Sequence, residues 1–482
     1  MDTSTTLPEG HRPEVPVSTS DSASAVSTHP AGSLTVHQGD ADEPMDEPPP
    51  LEGDLHEPSS PPNHSMGEDT GDVVIVLDLP EDYDIGYDTI SFQAKQFKGL
   101  RNVPSGAHYL WVAHSGGMST RCGAWVVGAG QRRVHVLQWD KDNELLGPAS
   151  SSEARKQADN ISSIYPKLLP CQDPPAASLR PSGKGPTSLA SQGNIWDQLA
   201  GFVSERVLNR ITGQERGDWF TNTVDHVKGA ALIPAEVELD RRISSNPHLH
   251  GRDLNFAFSQ LSKTYSTEHT GASRTLEATD ATTYILSLLS DSNGLTEDDI
   301  VGEFQFAYIV GTHLGNDACI QQWWHMLLKI ILRAYTLATS RPSLAGPLLR
   351  TLAAQLSHSL HHLESSVLDH SETQTRDLRI ALTVYKRRLE EGTSGAGAAA
   401  AAPTSASLAF AQVEAVVAES PLGWDLREDT YVRRGMVMTE EGEQVEVELK
   451  ELEDEDERGE WAPEVVELDE SGREKGLVSW TD

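Results

Sequence analysis

Cysteine, positive charge and long apolar runs are all scarce in this chain, and each shortage excludes a class of protein. The three cysteines, Cys122, Cys171 and Cys319, are too few and too scattered for a disulfide framework or a closed zinc site, whose ligands cluster at short spacing. A reducing compartment fits that usage. No basic stretch leading into an apolar one follows Met1, so no secretory signal is expected. The most apolar region, Trp323 to Ala334, contains Lys329 and Arg333 and falls short of the about 20 apolar residues a membrane span requires.

Lys and Arg number 38 against 73 Asp and Glu, for a net charge of -35. That balance argues against direct binding to nucleic acid or an anionic membrane and favours a basic partner. The deficit sits at the ends. Residues 1–70 hold 14 acidic and 1 basic side chain and residues 424–482 hold 21 and 7, which leaves the middle of the chain ordinarily charged.

Catalytic signatures are also missing. There is no Gly-x-Ser-x-Gly elbow and no His-Glu-x-x-His, and Gly128-Ala129-Gly130 runs into Gln131-Arg132-Arg133 without the lysine of a phosphate-cradling loop. The best metal candidate is His358, His361, His362 and Glu364, because imidazoles at i and i+4 can reach one ion from a helix face. The blander reading is a set of polar-face histidines on an amphipathic helix. Trp323 and Trp324 stand in a helical stripe among leucines and read as core, not as a base-stacking platform. No enzyme activity, metal or cofactor is expected.

What is present is a clear division of texture. Residues 1–70, rich in Ser, Pro and acid, cannot offset their ordering entropy and are expected to be disordered. Val73 to Leu77 is a continuous apolar run suited to a buried strand, and Ala107 to Ala113, Thr120 to Val127 and Arg133 to Trp139 are further strand candidates. Residues 71–170 therefore read as an antiparallel β-rich domain and 171–193 as a linker. From 194 to 391 the apolar spacing is helical, with stripes through Ile195 to Val207, Ala281 to Leu289, Ile320 to Tyr335, Leu344 to Leu363 and Leu378 to Leu389. The fold class is α+β multidomain, a β-rich half followed by an all-α half.

Residues 392–407 read as a Gly/Ala/Ser spacer and 408–482 as an acidic C-terminal extension with short strand-forming segments. In Val445, Val447 and Leu449 apolar residues alternate with Glu446 and Glu448, and Val465, Val466 and Leu468 form another short apolar segment. Such a tail can add a strand to a partner's sheet edge. It can equally fold back and complete the sheet of the β domain.

Several ordered blocks resemble one family. Leu77-Asp78-Leu79-Pro80, Gly86-Tyr87-Asp88, Phe97-Lys98-Gly99 and Val103-Pro104-Ser105-Gly106-Ala107-His108-Tyr109 are similar to the N-terminal signature of the A1 cistron-splicing factor family. Glu303-Phe304-Gln305-Phe306-Ala307-Tyr308 and Gln322-Trp323-Trp324-His325 resemble its C-terminal signature. Asp78, Pro80, Phe97, Gly99, Pro104, Gly106, His108, Phe304, Phe306 and Trp323 read as scaffold positions within those blocks. The resemblance implies a helical domain of VHS-like fold and a non-enzymatic assembly factor of the U5 snRNP, found in cytoplasm and nucleus. It further implies binding to the RNase H-like and Jab/MPN-like domains of the large U5 scaffold protein, contact with the U5 snRNP only through that protein, and a block on premature helicase binding. An adaptor in protein trafficking is the competing expectation for a helical stack with an acidic tail.

Overall fold

The computed structural model describes residues 71–427, apart from 82, 116–119, 172–193, 215–216, 231–250, 267, 291–293, 364 and 395–403, together with 434–438 and 444–448. Strands β1 (Asp72–Leu77), β2 (Tyr83–Tyr87), β3 (Ile90–Gln93), β4 (Gly99–Val103), β5 (Gly106–His114), β6 (Cys122–Gly128), β7 (Val134–Asp140), β8 (Leu145–Pro148), β9 (Leu169–Pro170) and β10 (Phe220–Asn222) make two five-stranded sheets. Their orders are β8-β7-β1-β4-β9 and β10-β6-β5-β2-β3. The second sheet is antiparallel throughout. The first also holds parallel pairs, β1 with β7 and β4 with β9.

The continuous apolar run in β1 follows from its position. Val74 and Val76 enter the core between the sheets, while Val73 and Ile75 face the other way onto Leu168, Ile161 and Ile164. Helices α1 (Ser151–Asp159) and α2 (Ile161–Ile164) lie in that outer cover. A strand buried on both faces has no polar side to show, which is why it does not alternate.

The helical half consists of α3 (Ile195–Ala200), α4 (Glu205–Thr212), α5 (Gly271–Thr279), α6 (Thr282–Ser290), α7 (Glu297–Leu314), α8 (Asp317–His325), α9 (Leu337–Ser340), α10 (Pro342–His361), α11 (Glu372–Ser394) and α12 (Ser405–Glu419). A small parallel ribbon of β11 (His226–Val227) and β12 (Asp253–Leu254) sits between α4 and α5. Helix α7 is its axis. It starts in a capping box of Thr296 and Asp299, ends at left-handed Gly315, and is buried almost all round. No helix among the described residues is long and apolar enough to cross a membrane.

Three elements differ from the periodic reading. The stripe from Ile195 to Val207 is two helices, because the chain turns after Ala200 and restarts with Ser204 capping Val207. The stripe from Ile320 to Tyr335 leaves α-geometry at Met326, passing through a π turn to Ile330 and a 3-10 turn to Arg333. Tertiary bonds hold that irregular end, since the Ala281 N–H donates to the Arg333 carbonyl at 3.0 Å. Finally, α12 occupies sequence read as spacer and extension. Its buried residues, Ala406, Ala409, Phe410, Val413, Val416 and Val417, recur at three-and-four spacing, but alanines in three of the first positions blend that stripe into the Ala-rich run before it.

The two halves share one core. Ala107, Tyr109 and Trp125 of the β half belong to the same buried cluster as Trp196, Phe304, Phe306 and the helices behind them. Strand β10, from beyond the linker, pairs antiparallel with β6.

Candidate partner-binding surface

The residues singled out by the family signatures occupy turns and interior positions. Asp78 turns the chain just after β1 with φ +59°, and Pro80 lies exposed beyond it. Phe97 is buried edge-on to Phe92, with centroids 5.8 Å apart. Gly99 has φ +130°, and a Cβ there would sit 1.9 Å from the Val74 carbonyl oxygen. Pro104 and Gly106 form the turn into β5, where the Pro104 carbonyl closely faces Gly128. Phe304 and Trp323 stack with centroids 6.0 Å apart and planes 6° from parallel.

His108 belongs to a buried polar chain. Its Nδ1 is 2.8 Å from Asp88 Oδ2 and 2.8 Å from Tyr87 Oη, and Cys171 Sγ donates to that same Oη at 3.1 Å. Asp88 Oδ1 accepts the Tyr109 N–H at 2.9 Å. Burial pushes the Asp88 carboxyl up, against the lowering effect of His108. Through the thiol–hydroxyl contact the group ties the end of β9 to β2.

Of the histidines at the end of α10, His361 and His362 are exposed, as the polar-face reading expects, but His358 is not. His358 is 1 % exposed, not on a polar face, and its Nδ1 is 2.9 Å from the Tyr308 hydroxyl. Burial, reinforced by neighbouring His313 and His362, lowers it to about 3. His313 lies 6.1 Å away between ring centroids and is lowered to about 4 by burial and the Arg121 guanidinium. Glu364 lies outside the described residues. Among the described residues no group of three or more His, Cys, Asp or Glu could hold a metal.

Polar side chains fasten irregular segments to the helices. Gln305 accepts the Phe202 N–H at 2.8 Å and donates to the Gln198 carbonyl at 2.9 Å. Asn316 Nδ2 donates to the carbonyls of Asn222 and Asp225 at 3.0 and 2.9 Å. Glu303, fully buried, accepts from the Ala257 N–H at 2.8 Å and pairs with Arg210. Burial pushes Glu303 up to about 7 despite Arg210. These amides were invisible as sites in the sequence, because their partners are distant backbone groups.

The C-terminal extension carries a strand pair of its own. Strand β14 (Gln444–Glu448), which carries Val445 and Val447, pairs antiparallel with β13 (Arg434–Met438), Val445 opposite Val437 and Val447 opposite Gly435. The pair forms a two-stranded sheet of its own and completes neither five-stranded sheet. Leu449, Val465, Val466 and Leu468 lie outside the described residues. Among the described residues no further strand pairs with either edge of this ribbon, and an open edge is where a further strand can add main-chain hydrogen bonds.

The first part of the segment read as extension is held to the body. α12 buries Ala406, Ala409, Phe410, Val413, Val416 and Val417, and the turn after it buries Trp424 and Leu426. Periodicity alone missed this segment, although Thr404 as a helix cap was a signal for it.

Two family models match the chain. One describes the AAR2 N-terminal domain and matches residues 70–213, and the other describes the AAR2 C-terminal repeat region and matches residues 256–427. Together they take in more than half of the 482 residues. The first runs through α4, so α3 and α4 go with the β half in that division, while the second takes in α12 and the β13–β14 ribbon lies beyond both.

Proposed function

Because the chain belongs to the AAR2 family, the A1 cistron-splicing factors, we propose that it is a non-catalytic assembly factor in U5 snRNP biogenesis. The family is one of splicing factors and is not a known enzyme family. In this reading the chain binds the RNase H-like and Jab/MPN-like domains of the large U5 scaffold protein, occupies the helicase's place until exchange, and works in both cytoplasm and nucleus. The helical half would be the VHS-like domain of that arrangement. The observation that carries the reading is the pair of ordered family matches over both halves of one continuous core.

Charge supports it. A net charge of -35 suits a placeholder on a partner whose basic surfaces later meet RNA, and such attraction weakens as salt is added. The β13–β14 ribbon supports strand addition, since its backbone edges and alternating composition match what that mode of recognition uses.

The test is direct binding. The full chain and a version ending at Arg427 are titrated with the purified scaffold domains at several salt concentrations. Tight binding by the full chain, weaker binding by the shorter one and loss with salt are expected. Absence of binding by a folded full chain would overturn the assignment of partner. Localisation is checked by fractionation, with the chain expected in both compartments.

A further inference from the structure

We propose that the cleft between β6, β7 and the start of α4 binds a short extended peptide that carries a basic side chain. The site is separate from the C-terminal extension and stands whether or not that extension meets the U5 scaffold.

A cavity of about 350 Å³ opens there, at the lower end of the about 300–1,000 Å³ that ligand sites occupy. It forms because β10 is short. That strand pairs with β6 only at Cys122 to Ala124, and one more bond, from the Trp125 N–H to the Trp219 carbonyl at 2.9 Å, extends the ladder. Main-chain groups alternate in direction along a strand, so those of Val127 face the same edge as those of Trp125, and Val127 lines the cavity. Gly217, at φ +92°, turns the neighbouring chain at this end. Across the gap stand Arg133 and, on β7, His135 and Leu137. The cleft thus prolongs the line of β10 along the β6 edge, which is the place an added strand takes.

An orphaned donor and the local charge say what fits. Trp125 is 1 % exposed, and its Nε1–H has no hydrogen-bond partner among the described residues. Phe306 and Trp196 stack on its ring, which leaves its edge to line the cavity. A desolvated donor without an acceptor costs about 1–3 kcal/mol, and a ligand carbonyl removes that cost. Glu205 and Asp218 also line the cavity, and Asp72 lies behind His135, its Oδ2 3.6 Å from His135 Nε2. Burial holds the His135 imidazole below its ordinary range, so Arg133 alone among the described lining residues stands as a fixed cation against these carboxylates. An acceptor for Trp125 together with a positive charge for Glu205 and Asp218 describes a main chain bearing Lys or Arg. Arg133 and Glu205 are exposed, which places the mouth of the cavity at the surface.

The experiment titrates the full chain, by calorimetry, with the blocked peptides acetyl-Val-Arg-Val-amide and acetyl-Val-Glu-Val-amide. Saturable binding of the arginine peptide with a Kd below about 1 mM is expected, with the glutamate peptide weaker by about tenfold or more. Glu205→Lys, at an exposed position, should leave the melting temperature little changed and weaken the arginine peptide about tenfold. Trp125→Phe keeps a ring in the seam but removes the donor, and should weaken the same peptide about fivefold. Failure of the arginine peptide to saturate the natural chain, equal binding of the two peptides, or binding to Glu205→Lys within twofold of the natural chain would show that the cavity holds only water or a segment of the chain itself, and would overturn the site.

Discussion

Trp125 on β6 and Phe306 on α7 lie nearly face to face, ring centroids 5.7 Å apart and planes 20° from parallel. Trp196 stacks on the same indole at 6.3 Å, and its own Nε1–H donates to the Ala107 carbonyl at 2.8 Å. One residue from each half, both fully desolvated, makes the seam a core contact and not a surface one.

Loss of that contact should unfold both halves together. Phe306→Ala is expected to cost about 3–5 kcal/mol. Far-UV circular dichroism and tryptophan fluorescence should move in one coincident transition, lower than that of the natural chain. Two separated transitions would show that the halves fold independently.

The linker should be dispensable as a covalent connection. Beyond it, Trp196, β10 and the Tyr109–Thr221 hydroxyl contact at 2.8 Å all reach back to the β half. A protease site placed within residues 172–193 and cut should leave two fragments that elute together on gel filtration. Elution as two separate species would contradict the shared core.

A buried carboxyl and two buried imidazoles should give opposing slopes of stability against pH. The folded Glu303 carboxyl lies at about 7 against an ordinary 4.5, so protonation favours the fold, and on the order of 3 kcal/mol is lost as pH rises from about 4.5 to 7. His358 and His313 are lowered from 6.5, so their contribution is present above 6.5 and is lost as pH falls toward 3 to 4. Denaturant titrations from pH 4.5 to 7 should show Glu303→Gln losing stability more steeply on acidification than the natural chain. His358→Gln should do the reverse. Parallel curves would remove these groups from the account.

Two glycines of the signature blocks should respond differently to a methyl group. At Gly99 the left-handed backbone and the Val74 carbonyl together forbid a side chain, so Gly99→Ala should cost about 3 kcal/mol or more. Gly106 has φ +124° but open space around its missing Cβ, so Gly106→Ala should cost only backbone strain, about 1–3 kcal/mol. Chemical denaturation of the two variants checks the order.

Much of the fold was legible. The run from Val73 to Leu77 and the strands near Ala107, Thr120 and Arg133 appear within two residues of their predicted bounds, since β-branched runs between turn residues are local signals. Strands β2, β3 and β4 are not legible in the sequence, because Gly86, Gly99 and their polar neighbours dilute the pattern. The parallel pairing of β1 with β7 was equally hidden, as partner direction is not encoded in either strand. Of the candidate site, the Val445–Val447 segment was legible from its alternation, whereas its partner β13 was not paired with it by any local rule.

Composition and spacing by themselves determined the acidic ends and the switch from a β-rich to a helical half, because charge and apolar period are properties of the chain read in line. The tertiary structure alone decided that the two halves share one core through Trp125 and Phe306, that His358 lies in that core against Tyr308, and that Phe410, Trp424 and Leu426 pin the first part of the segment read as extension. Those are contacts between residues far apart in sequence, and burial at such a contact depends on which surfaces meet, a quantity no single stretch of residues contains.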